Sequence, residues 1–448
     1  MKISLDTVNI NRDGTELVTG LLQHLIDEIQ TAGGGTLVVT PGIYRTGTLV
    51  LPSNFCLELE AGATLLASDC YADYSAARTL TTAELSQSAL LYAYGEHNIT
   101  LCGSGNIDGN ASAFFSAEPD EQGYRLPHTH RPRMVVFENC RAIRLKDLTI
   151  RQSPMWTVHL VSCEQVFVAR ITIDNDLTMA NTDALDIDSC ENVHISDSYF
   201  SAADDGICLK TTKKAPHIQR PLRNVTVTNC IVRSKSCALK IGTETFADVE
   251  NISVNNCSIY ESNRAIGIIS RDGGSFSRLI FSNITYACHY AHACHWGKSD
   301  PVFVSVRFRD PNIVPGSVSD VVFSNIVGVT EGAINLHSDI QGAINNVTFN
   351  TVTIRQLASA DSAQGEYDVR PPCNPERPTG MGLDNAYKVN PHTGRAFGVE
   401  PYPGGLPALF ARGVESLHLN NINILRPERL PEGWNPQEIV TEQAMNEK

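Results

Sequence analysis

VVFENCRAIRLKDLTI (135–150), VHLVSCEQVFVARITI (158–173) and LDIDSCENVHISDSYF (185–200) are three variants of one phrase. Each alternates apolar and polar residues, turns at Asn, Ser or Cys, and alternates again, as a half-buried strand does. Shorter versions follow: NVTVTNCIV (224–232), NISVNNCSIY (251–260), RLIFSNITY (278–286), DVVFSNIVGV (320–329), NVTFNTVTI (346–354) and SLHLNNINI (416–424). Cys140 to Cys163 is 23 residues, while Cys163 to Cys190 and Cys230 to Cys257 are 27 each. A period of about 20–30 residues made only of short strands predicts an all-β solenoid, a parallel β-helix. The recurring Cys and Asn are expected to stack in ladders inside the coil, Cys as a small apolar filler.

The rest of the chain is read against that repeat. Residues 15–32 put Leu17, Leu21, Leu22, Leu25, Ile26 and Ile29 on one helical face, with Thr15 as N-cap and the glycines at 33–35 as the stop. One early helix before many strands predicts a cap over the open end of the solenoid. Two stretches, 292–316 and the Pro-rich 366–405, are too irregular for coils and are expected to wall a groove. The expected layout is one β-helix domain over 1–448. It divides into a cap and first coils (1–68), core coils with the groove (90–360), a loop insert (361–408), and a last coil and tail (409–448).

A formal charge of −14 over 448 residues argues against nucleic acid or an anionic membrane as the main partner. The start, MKISLDTVNINRDG, has no basic segment followed by an apolar core, so a cytoplasmic location is expected. Thirteen cysteines without an export signal are read as reduced thiols.

The chemistry concentrates in NTDALDIDSCENVHISDSYFSAADDGICLK (181–210), which carries Asp183, Asp186, Asp188, Asp204 and Asp205. Alternation points Leu185 and Ile187 into the coil and Asp186 and Asp188 out of it. Successive rungs of a solenoid are about 4.8 Å apart, so carboxylates distant in sequence can crowd one patch. Crowded carboxylates cannot all ionise easily, and an acid beside ionised carboxylates is what glycosidic cleavage needs.

Asn181-Thr182-Asp183, followed 21 residues after Asp183 by Asp204-Asp205-Gly206, resembles the signature of the polygalacturonase family, glycoside hydrolase family 28. GGGTLVVTPGIY (33–44), GATLLAS (62–68), SPMWTVHL (153–160) and GLPALFARGVESLHLNNI (405–422) are similar to segments of its bacterial members. The resemblance implies a right-handed, single-stranded parallel β-helix and hydrolysis with inversion. It implies Asp204 as general acid, with Asp183 and Asp205 holding and activating the water. It implies neither cofactor nor metal.

Two departures from the family pattern bear on the substrate. Where the family carries Gly-His-Gly, SCALKIGTE (236–244) puts Cys237 in the His place. Where it carries Arg-Ile-Lys to grip a carboxylate, Gly267-Ile268-Ile269 stands. Losing both cations removes charge-assisted carboxylate binding, which points to a neutral sugar such as rhamnose at the cleavage point or to cations from elsewhere. Lys210, Lys240, Arg264 and Arg271 are the candidate replacements. Lys213, Lys214 and Arg220 are read as solvated loop charges. Asn181, Asp186, Trp156, His159 and Cys237 complete the expected substrate contacts. CHYAHACHW (288–296) has zinc-like density and opens a presumed groove loop; a zinc site, sugar contacts by one or two of its histidines and an ordinary loop are the alternatives.

The resulting expectation is an inverting glycosidase of pectic oligo- or polysaccharides, galacturonide or rhamnogalacturonan in type, acting from chain ends. The rivals are a pectate-lyase-like eliminase on the same fold and a catalytically altered carbohydrate-binding solenoid.

Overall fold

The computed structural model describes residues 1–82, 84, 86–121, 123–292, 295–371 and 389–444. The chain divides into two compact units, Met1–Ala203 with Lys214–Gln219, and Asp204–Lys213 with Arg220–Lys448. Each is a right-handed parallel β-helix in its own right.

In the first unit, Ala89–Tyr94, Arg133–Glu138, Val158–Val161 and Leu185–Asp188 stack in parallel, one strand per turn. A second face is built by Phe55–Leu59, His97–Cys102, Arg141–Lys146, Glu164–Ala169 and Glu191–Ser196. Register is strict: Val158 faces Leu185 and Leu160 faces Ile187, each pair 27 residues apart and fully buried. A slip of one residue would turn every apolar side chain outward.

In the second unit, Ile207–Thr211, Cys237–Thr245, Arg264–Ser270, Val302–Val306, Ile334–Ser338 and Leu409–Arg412 form the equivalent face. Long strands, Val249–Ser262, Phe276–Cys288, Val318–Thr330 and Ile344–Gln356, form the other. Phe281, Phe323 and Phe349 share one register and stack at 5.3 and 4.7 Å along the interior.

The ladders separate by chemistry. Cys140, Cys163, Cys190, Cys230 and Cys257 are buried, as expected of an apolar filler. The Asn ladders run along the outside, a correction to the expected interior stack. Asn98 donates to Asn54, Asn251 to Asn224 and Asn325 to Asn283, all exposed. Asn54, Asn98, Asn224, Asn251, Asn283 and Asn325 have φ between 52° and 59°. Asn is the non-glycine residue that tolerates this left-handed turn best.

The capping helix spans Thr19–Thr31, burying Leu22, Leu25, Ile26 and Ile29. It starts later than the sequence suggested. Thr15 instead belongs to the strand Asp13–Leu17, its N–H and hydroxyl both taken by Asp13 Oδ1 at 2.9 and 2.6 Å. Leu17 is exposed there.

Candidate active site

In the first unit, the segment before Leu185–Asp188 is pinned by neutral and cationic donors. Asn175 Nδ2 donates to Thr157 Oγ1 at 2.8 Å and to the Thr182 carbonyl at 3.0 Å. Arg131 donates to the Ala180 carbonyl and the Asn181 side-chain oxygen, both at 2.9 Å. Thr157 N–H donates to the Asp183 carbonyl at 2.8 Å, which starts the ladder between the two strands. Asp183 is thereby fixed at the strand entrance with 3% exposure. Asn181, expected to touch substrate, sits in a left-handed turn (φ 60°) with its oxygen on Arg131, and so positions the loop.

The next side chains form a buried chain of polar contacts. Arg133 Nη1 meets His159 Nδ1 at 2.7 Å, and His159 Nε2 meets Asp188 Oδ2 at 3.2 Å. A guanidinium only donates, so Nδ1 accepts and Nε2 carries the hydrogen toward Asp188. Lys214 also bonds Asp188 and is buried, although the sequence suggested a solvated loop charge. Burial pushes the Asp188 carboxyl up, but Lys214 and His159 more than offset it and hold it well below the usual range. Burial likewise pulls Arg133 down to about 10, against the charges of Glu138 and Asp186.

Alternation sends Asp186 and Asp188 to the opposite side from Leu185 and Ile187, yet all four are fully buried. His159 faces Asp186 in register and is itself fully buried, with Trp156 edge-on at 5.0 Å and 8% exposed. His159 and Asp186, expected as substrate contacts, thus lie beneath the surface rather than exposed on it.

In the second unit, Asp204 is partly exposed and Asp205 is 1% exposed. Ser234 Oγ donates to the Asp204 carbonyl at 2.6 Å. Gly206 N–H donates to the Cys237 carbonyl at 2.9 Å. A Cβ on Gly206 would sit 2.6 Å from the Ala238 carbonyl oxygen and collide with Val232, so only glycine permits this approach. The Asp205 carboxylate receives Ser236 Oγ at 3.1 Å on one oxygen and Lys240 Nζ at 2.5 Å on the other. Burial opposes the Lys240 charge, but Asp205 outweighs it and holds the ammonium well above the usual lysine range.

Cys237, expected in a substrate contact, is 2% exposed with its thiol on the Leu239 carbonyl at 3.3 Å. Burial, then Asp205, pushes that thiol up to about 12. A Cβ on Gly267 would lie 2.9 Å from Cys237 Sγ. The two departures from the family pattern are thus packed against each other.

Cations do gather beside Lys240. Lys210 lies 3.9 Å from Glu244, and Arg309 approaches the same carboxylate at 3.9 Å while donating to the Thr243 carbonyl at 2.5 Å. Burial raises Glu244, but Lys210, Arg309 and Lys240 together hold it below the usual range. Lys240 Nζ also lies 5.8 Å from the Trp296 ring centre. Glu244, Arg309 and Trp296 escaped the sequence reading because nothing in their local pattern marks them.

Arg264 and Arg271 do not join this group. Arg264 is 1% exposed, bound to Asp300 at 2.7 Å and the Asp368 carbonyl at 2.6 Å, and stacked 3.7 Å over Phe303. Arg271 is fully buried against the carbonyls of Ser270, Ser305, Val369 and Pro371. Both arginines tie the 366–371 segment to the coil. In the 288–296 run, Cys288 bonds the Asp300 carbonyl and His289 pairs with Glu331. His295 is buried, and Cys294 lies outside the described residues. His295 N–H donates to the His292 carbonyl at 3.0 Å.

Residues 48–368 match the model for glycosyl hydrolases family 28. The chain belongs to this family. A probable polygalacturonase of Vitis vinifera is 29% identical over 44% of the chain and 42% of its own length. An exo-poly-alpha-D-galacturonosidase of Dickeya chrysanthemi is 24% identical over 72% of the chain and 63% of its own length. The matches thus span less than two thirds of these relatives. The crystal structure of a hyperthermoactive exopolygalacturonase from Thermotoga maritima superposes with a TM-score of 0.66 at 22% identity, covering 80% of this chain and 87% of that one. The matched stretch includes the segment 181–244, which carries Asp183, Asp204 and Asp205.

Proposed function

We propose that this chain hydrolyses glycosidic bonds of pectic saccharides with inversion. Asp204 is the general acid, and Asp183 and Asp205 hold and activate the water. The observation that carries these roles is the different surroundings of adjacent carboxylates. Asp205 is buried against Lys240 and Ser236, whereas Asp204 is partly exposed and able to meet a leaving oxygen. The substrate is an acidic sugar rather than a neutral one. That reading is supported by the polygalacturonase and galacturonosidase names of the relatives; Lys240 faces Gly267 in register, while it, Lys210 and Arg309 are each paired with a carboxylate of this chain.

Action from chain ends is supported by the exo-acting name of the Dickeya relative. The family match favours hydrolysis over the lyase reading, and the retained Asp trio argues against a pure binder. No described helix is long and apolar enough to cross a membrane. A cytoplasmic location is part of this reading, tested by fractionating the source cells.

The test is a digest of oligogalacturonides and rhamnogalacturonan oligosaccharides resolved by chromatography. Saturated monosaccharide released from galacturonides at the outset is the expected result. Cleavage confined to neutral-sugar bonds would overturn the substrate assignment, and random mid-chain products would overturn exo action.

A further inference from the structure

Two thiols stand together on the outside of the first unit. Cys56 lies on Phe55–Leu59 and Cys102 on His97–Cys102. These parallel strands pair so that Cys56 faces Thr100 and Glu58 faces Cys102. The two cysteines project from one side as diagonal neighbours, and their Sγ atoms lie 3.6 Å apart. An S–S bond is about 2.0 Å long, so closing one here takes side-chain rotation and movement of the two strands toward each other. Among the eleven described cysteines, eight are buried inside the coils, Cys56 and Cys102 are partly exposed, and Cys70 is exposed. The pair is therefore within reach of a small oxidant while the interior ladder is shielded.

The two sulfurs differ. The hydrogen bond with Cys56 brings the Cys102 thiol down to about 7 against burial, assisted by Lys146, which faces Cys102 on the next strand. The same hydrogen bond, then burial, pushes Cys56 up. A thiolate is the nucleophile in exchange, and the other thiol then resolves the mixed disulfide.

We propose that Cys56 and Cys102 are an exchange-active dithiol that closes to a disulfide on meeting a low-molecular-weight disulfide. The Cys102 thiolate attacks one sulfur of that reagent, forming a mixed disulfide and expelling one thiolate. Cys56 gives up its proton and attacks Cys102 Sγ, expelling the second. Two protein thiols are oxidised and one small disulfide is reduced to two thiols.

The test treats the full-length protein with oxidised glutathione, then reads intact mass and the peptides bearing Cys56, Cys70 and Cys102. The intact protein should lose about 2 Da, with the Cys56 and Cys102 peptides linked, the Cys70 peptide outside the link, and no lasting adduct on Cys102. In Cys56→Ser, glutathione should stay on Cys102, attached several-fold faster than on Cys70. Circular dichroism checks that the variant keeps its fold. Persistent glutathione on Cys102 of the unsubstituted protein, a link through Cys70, or an unchanged mass would overturn the proposal. Activity does not enter the readout, so this test stands apart from the proposed reaction.

Discussion

Taking away the Lys240 ammonium would leave the Asp205 carboxylate buried with only Ser236 at its other oxygen. Breaking a buried ion pair from one side costs about 3–5 kcal/mol, because the stranded charge has lost its compensation. Lys240→Met should therefore lower unfolding free energy by about that amount, measured by denaturant titration. Adding Asp205→Asn should restore most of it. A double variant as unstable as the single one would contradict the pairing.

The buried histidines set a second expectation. His295 and His337 are 6% and 5% exposed, and burial pulls them down to about 3 and about 4. Unfolded histidine takes up its proton near 6.5, so between about 4 and 6.5 the unfolded chain binds more protons. Stability should therefore rise with pH across that window, by about 1.4 kcal/mol per unit for each histidine. His337→Asn should flatten the slope. Asp188 works in the acid range instead: its folded pKa is depressed, so its contribution is present above about 4 and lost as pH falls below that.

At the scale of the element, the sequence announced the strands and hid the supports. Alternation over Leu185–Asp188 gave the faces correctly because period two is local. It could not reveal that the outer face is itself covered, since Arg133, His159 and Lys214 arrive from other turns and a later loop. The Asn ladders turned outward for a backbone reason, the left-handed turn, which a side-chain stacking argument overlooks. Thr15 was misplaced because an Asp-Gly-Thr turn and a helix cap share residue types. The bend at Gly206 was legible, and its strictness follows from the nearby Ala238 carbonyl. Gly206→Ala should cost about 1–3 kcal/mol by overpacking and reduce kcat more than KM, since it shifts Asp204 and Asp205 together. An unchanged kcat would show that the strand tolerates the methyl group.

For the whole molecule, a repeat of about 27 residues is a strong signal because each turn must bury the same face against its neighbour. That is why the solenoid was legible, and the phrase recurs on both sides of position 203/204. The carboxylates proposed as catalytic stand out in the sequence by their spacing. Glu244 and Arg309 do not, because a cation–carboxylate group assembled from separate turns leaves no mark in any one of them.

The measurement that bears most directly on the proposed reaction is proton NMR of the anomeric region during early digestion of an oligogalacturonide, with Asp204→Asn in parallel. The new reducing end should emerge first in the configuration opposite to that of the bond cut, and mutarotation should follow. The variant should lose about 10²–10⁴-fold in kcat/KM while keeping its circular dichroism spectrum. A product released with retained configuration, an unsaturated product, or an Asp204→Asn variant as active as the unsubstituted protein would contradict hydrolysis by inversion with Asp204 as the acid.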